Sequence, residues 1–107
     1  MNKILVAYFS CSGYTKKLAE KISTKINGDL FEIKPSILYT DRDLDWTNPN
    51  SRSSIEMNDM TSRPTINEKV ENMNEYDILY IGYPIWWSKA PTIINTFLES
   101  YDLSIYR

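Results

Sequence analysis

One short stretch concentrates groups that could do chemistry: Ser10-Cys11-Ser12-Gly13-Tyr14-Thr15. Ser10, Ser12 and Thr15 offer hydroxyl donors, and Gly13 lets the backbone bend close to a ligand. No Lys or Arg lies inside the stretch; Lys16 and Lys17 follow it. An anion here would be held mainly by amides and hydroxyls, which suits a phosphomonoester. The same residues also suit an ordinary strand-to-helix turn capped by Ser or Thr. A second stretch, Pro84-Ile85-Trp86-Trp87-Ser88-Lys89, places two tryptophans side by side. One can pack on the domain body while the other meets solvent, so the pair reads as a stacking surface. Burial of both over the sheet edge or in an oligomer contact is the alternative.

The elements around these stretches decide what they can become. Residues 4–7 are an apolar run, read as a first strand. Leu18, Ala19, Ile22 and Ile26 then mark one face of a helix, which should stop at Asn27-Gly28. The hydroxyl-rich turn therefore opens a helix, whose first N–H groups lack partners and whose dipole favours an anion. Residues 29–34 alternate as a second strand closed by Pro35, which completes a parallel βαβ unit.

Residues 36–63 turn polar and read as an insertion, more a surface excursion than a binding element, with Trp46 as its anchor. Asn48-Pro49-Asn50 is a turn, and residues 51–59 suit a short helix capped by Ser51 or Asn50. Ile66, Val70 and Met73 have the spacing of a further helix. Residues 76–83 are the most apolar run and read as a parallel strand covered on both faces. Pro91 suits a helix start, and Ile93, Ile94, Phe97, Leu98 and Tyr101 give that last helix a broad apolar face. In open α/β sheets the ligand sits beyond the carboxyl ends of the strands. The stretches 10–15 and 84–89 both leave such ends and should meet there.

Composition removes several classes of function. The 107 residues carry a net charge of −2 and no basic cluster, which argues against nucleic acid. There is no histidine, so Ser–His and Cys–His catalysis are excluded within the chain. A single cysteine excludes an internal disulfide and a multi-cysteine metal site. No segment approaches membrane-spanning length and no secretory signal is evident, so the reading is cytoplasmic, with no metal and no membrane.

The pattern resembles the flavodoxin-like family, and most closely its bacterial branch with an insertion after strand two. The resemblance is carried by Tyr8-Phe9-Ser10-x-Ser12-Gly13-x-Thr15, by Arg63-Pro64, and above all by Gly82-Tyr83-Pro84-Ile85-Trp86-Trp87 with Ala90-Pro91-Thr92. It runs to about Leu103. It implies an α/β fold, a parallel sheet with helices on both faces, and FMN bound without a covalent link. The first turn would hold the FMN phosphate, which maps to Ser10, Ser12, Gly13, Tyr14 and Thr15, with Cys11 giving at most its amide. The second loop would lie beside the flavin ring, which maps to Pro84, Ile85, Trp86 and Trp87. Electron transfer with a redox partner protein follows from the resemblance, and no catalytic acid or base is required.

The family's sheet has five strands in the order 2-1-3-4-5. This sequence supplies the order 2-1-3, with strands four and five missing, so residues 1–107 read as a single, partial domain that stops at Ser104-Ile105-Tyr106-Arg107. Strand three would then be a hydrophobic edge, and the expectation is a truncated form that pairs into a homo-oligomer through it. Three rival readings remain. An NAD(P)H-dependent quinone or azo reductase would use the same flavin. A non-catalytic assembly fragment would have lost it. A cysteine phosphatase needs Cys-x5-Arg, whereas Cys11 is followed at that spacing by Lys17, which lacks the planar clamp of an arginine.

Overall fold

The computed structural model describes residues 3–101. Its centre is a three-stranded parallel sheet in the order β2-β1-β3, built from β1 (Ile4–Tyr8), β2 (Asp29–Glu32) and β3 (Ile78–Gly82). The apolar run of β1 is buried along nearly its whole length because a strand flanks it on each side. Side chains alternate between the two faces of the sheet. On one face Val6 and Tyr8 pack with Ala19, Ile22 and Ile26 of α1 (Tyr14–Ile26). On the other, Leu5, Ala7 and Phe9 join Ile93, Ile94 and Phe97, which α3 (Thr92–Glu99) supplies. The chain is thus an open parallel α/β fold in the expected order 2-1-3, with a helix on each face.

Helix α1 ends as the sequence suggests. Asn27 takes the left-handed conformation (φ 54°), and the Gly28 N–H closes on the Ser23 carbonyl at 2.9 Å. Gly28 is also a packing requirement, since a Cβ there would sit 3.2 Å from the Ile4 carbonyl oxygen. Helix α2 (Arg52–Asn58) lies in the insertion and is capped by Ser51, whose hydroxyl accepts the Ser54 N–H.

Three expectations are corrected. No helix forms over Ile66, Val70 and Met73; the segment runs irregularly and ends in a 3₁₀ turn, Met73–Glu75. Ile66 instead bridges Pro35, and Val70 and Met73 enter the core individually. Tertiary contacts outweigh a spacing that rested on three residues. Secondly, β3 is not covered on both faces: Tyr80 is 45 % exposed. Thirdly, Trp46 does not anchor the insertion, being 73 % exposed. Tyr39, which packs against the core, and the buried Ser53, Ser54 and Met57 hold it instead. The stretch at Ser104-Ile105-Tyr106-Arg107 lies outside the described residues.

Candidate functional site

The two chemistry-bearing stretches begin side by side. Tyr8 and Gly82 are register partners at the carboxyl ends of β1 and β3, and the Phe9 N–H donates to the Gly82 carbonyl at 2.9 Å. The first turn leaves β1 and enters α1 through Gly13, whose φ of 88° belongs to the left-handed region that glycine tolerates. Its N–H donates to the Ser10 hydroxyl at 3.1 Å, so Ser10 shapes the turn from within. No side chain caps α1, which leaves the amides of its first turn available. Among the described residues, neither Ser12 nor Thr15 commits its hydroxyl to a protein partner.

A groove of about 610 Å³ starts at this turn and ends at the second loop. Ser12, Tyr14 and Thr15 form one end, and Tyr83, Pro84 and Ile85 the other. Leu18, Ile81 and Gly82 complete its lining. No carboxylate, amine or guanidinium lines it. The geometry suits an anion at the amide end and an uncharged flat group at the apolar end.

The second loop is a tight hairpin turn. Trp86 and Lys89 exchange both backbone hydrogen bonds, at 2.8 and 2.9 Å. Between them Trp87 (φ 50°) and Ser88 (φ 63°) both have positive φ, the signature of a type I′ turn. Such turns favour Asn and Gly, so a tryptophan held there is strained by about 1–2 kcal/mol. The two indoles diverge. Trp86 packs edge-to-face on Phe9 at 5.8 Å and on Tyr39 at 5.6 Å. Trp87 is 47 % exposed. With Leu44, Trp46, Ser53, Ile85 and Trp86 it lines a second cleft, of about 340 Å³. Ile85 is shared by the cleft and the groove.

Cys11 departs from the groove. With Ser10 it lines a smaller cavity of about 200 Å³, facing Glu32, Leu38 and Tyr39. Burial pushes its thiol up to about 11, against the opposing effect of the Arg52 charge. A thiol held protonated at neutral pH is a poor nucleophile, which weighs against phosphatase chemistry. Burial, and then the hydrogen bond to Glu56, likewise raises the Tyr39 hydroxyl far above its ordinary value. A further concavity, of about 880 Å³, where Leu30 and Phe31 face residues 66–72, contains no part of either stretch.

The structure therefore gathers Ser12, Tyr14, Thr15, Pro84 and Ile85 on one groove, with Gly13 and Ser10 shaping its turn. It sets Trp86 and Trp87 on the adjoining cleft and Cys11 behind the turn. Sequence reasoning missed Leu18, Ile81, Gly82 and Tyr83 in the groove, and Leu44, Trp46 and Ser53 in the cleft. Leu18 follows Tyr14 by one helical turn, which was signal enough. The cleft residues meet only through the fold of the insertion.

The sheet order and this groove define a flavodoxin-like α/β protein. The sequence matches the flavodoxin family model over residues 3–106, and the chain belongs to that family. Among solved structures, it is 54 % identical to a protein described as a flavoprotein from Bacteroides eggerthii, with a TM-score of 0.97 over 98 % of this chain and 66 % of that one. A similarly described protein from Bacteroides uniformis is 49 % identical, with a TM-score of 0.94 over 97 % and 67 %. A flavoprotein from Lactobacillus acidophilus, solved in complex with FMN, is 33 % identical, with a TM-score of 0.76 over 94 % and 66 %. This chain thus spans about two thirds of the length of these structures. No curated protein matches it. Among the described residues no helix is long and apolar enough to cross a membrane, and no group of three His, Cys, Asp or Glu is placed to hold a metal ion.

Proposed function

We propose that this chain is a cytoplasmic, FMN-binding electron carrier that exchanges electrons with a redox partner protein. The observation that carries the reading is the continuous groove from the uncapped amides of α1 to Pro84 and Ile85. Its two ends match the two ends of FMN, a dianionic phosphate and a flat ring. The amides at the start of α1 and the hydroxyls of Ser12 and Thr15 hold the phosphate. Ile85 covers the ring from within the groove, Trp87 reaches it from the adjoining cleft, and Gly13 keeps the turn open. Bound FMN supplies one- and two-electron chemistry at its ring. With no carboxylate, amine or guanidinium in the groove, the residues here contribute burial and orientation rather than protons. Family membership and the FMN complex of the Lactobacillus acidophilus protein support the assignment.

Titration of the purified chain with FMN tests it. The expected result is saturable quenching of flavin fluorescence, weakened by Gly13→Ala. No quenching by the parent protein overturns the reading.

The cleft between Trp46 and Trp87 favours one second reading, reduction of a flat aromatic acceptor with NAD(P)H as electron donor. Steady NAD(P)H oxidation by the FMN-loaded protein without a partner would select it over the carrier.

A further inference from the structure

The insertion carries a device that acts on the second loop. We propose that Tyr39 is a positioning residue for the Trp86–Trp87 turn, clamped in place by Arg52 and Glu56 of α2. The proposal rests on the FMN reading for its functional consequence, and on the geometry alone for the clamp.

Arg52 and Glu56 are one helical turn apart, and Arg52 Nε donates to Glu56 Oε2 at 3.0 Å. Both side chains are largely buried, at 22 % and 13 % exposure. The Tyr39 hydroxyl donates to the other oxygen of the same carboxylate, Oε1. The Arg52 guanidinium lies over the Tyr39 ring, 3.7 Å from its centroid. It also reaches the backbone just before that residue, donating from Nη1 to the Ile37 carbonyl at 2.7 Å. One arginine therefore fixes the ring, its hydrogen-bond acceptor and the approach of the chain together. A partly buried guanidinium that donates from two nitrogens to a carboxylate and a carbonyl while stacking on a ring does what a lysine cannot.

The opposite edge of Tyr39 meets the site. Its ring stands edge-to-face with Trp86 and with Phe9, each at 5.6 Å, and Phe9 meets Trp86 at 5.8 Å. Three rings thus lock around one point. Trp86 is also the base of the hairpin turn, through both of its backbone hydrogen bonds to Lys89. A turn with two non-glycine residues at positive φ persists only when its surroundings over-determine it. Tyr39 supplies that determination from the insertion side. Phe9 supplies it from the residue just after β1, one before the phosphate turn begins. The insertion is then part of the site, not a surface excursion.

Two measurements test this. In the flavin-free, ¹⁵N-labelled chain, Tyr39→Phe and Arg52→Met should each shift the indole N–H signals of both Trp86 and Trp87. Unchanged signals in both variants overturn the clamp, and this arm holds even if the parent binds no flavin. In the FMN-binding protein, Tyr39→Leu should weaken FMN and riboflavin alike by about tenfold, because the phosphate end is untouched. In a Trp86→Leu background the same change should add less than about twofold, since its effect passes through Trp86. An equal penalty in both backgrounds makes Tyr39 merely structural and overturns the proposal.

Discussion

Thr15 and Gly82 pack so closely that a Cβ on the glycine would lie 3.3 Å from Thr15 Cγ2. The start of α1 and the end of β3 are therefore in direct contact, and the groove runs across that contact. Gly82→Ala should push the first turn away from the second loop and weaken FMN binding several-fold, at a stability cost of about 1 kcal/mol. Adding Thr15→Ser removes the crowding methyl while keeping the hydroxyl. The double variant should recover most of the affinity, as measured by flavin fluorescence.

Trp87 and Ser88 separate strain from function. At Ser88, φ is 63° and the side chain is exposed, so Ser88→Gly should relieve strain and stabilise the fold by up to about 1 kcal/mol. Thermal denaturation would show a raised midpoint with parental FMN affinity. Trp87→Ala keeps the strain and removes the indole. It should weaken FMN by about tenfold or more, since an aromatic stack contributes roughly 1–3 kcal/mol.

The buried thiol sets a pH dependence. The unfolded chain releases the Cys11 proton near 9.0, whereas the folded chain holds it to about 11. Between these values the folded state binds more protons than the unfolded state, so stability falls as pH rises. Denaturant titrations should show that decline setting in near pH 9, and Cys11→Ser should remove its onset; above about pH 10 the raised Tyr39 hydroxyl adds a decline of the same sign that the variant keeps. Alkylation of the native protein by iodoacetamide at pH 7.5 should be slow.

The unpaired edge of β3 predicts self-association. Among the described residues β3 pairs with β1 alone, and it carries the exposed Tyr80 beside α1, where Leu18 is 53 % exposed. Such edges recruit a second strand. Sedimentation of the chain should give a dimer that Tyr80→Lys or Tyr80→Glu disperses. A monomer at all concentrations would exclude this contact.

Much of the fold was legible because its signals are local. The run at 4–7, the stop at Asn27-Gly28 and the cap at Ser51 each need only near neighbours. Where burial depends on partners, the pattern misled. The apolar run of β3 suggested cover on both faces, yet Tyr80 is 45 % exposed; its edge position among the described residues is the one expected from the order 2-1-3. Ile66, Val70 and Met73 are all core-facing, but from an irregular segment that meets the core at separate points. The two ends of the groove were readable from residue types, since hydroxyls, glycine and tryptophan announce their chemistry. The division of labour between Trp86 and Trp87 was not, because it depends on Tyr39 and the insertion. Trp46 looked like an anchor for its size alone, while the anchoring falls to Tyr39 and to the buried residues of α2.

The central claim is that one FMN is held at both ends of one groove, and backbone NMR of the labelled chain tests it most directly. On addition of FMN, the amide signals of Ser12, Tyr14 and Thr15 should move together with those of Ile85 and Trp87, saturating at one FMN per chain. Inorganic phosphate should move the first set alone. Movement of neither set by FMN, or of the two sets at different FMN concentrations, would contradict the account.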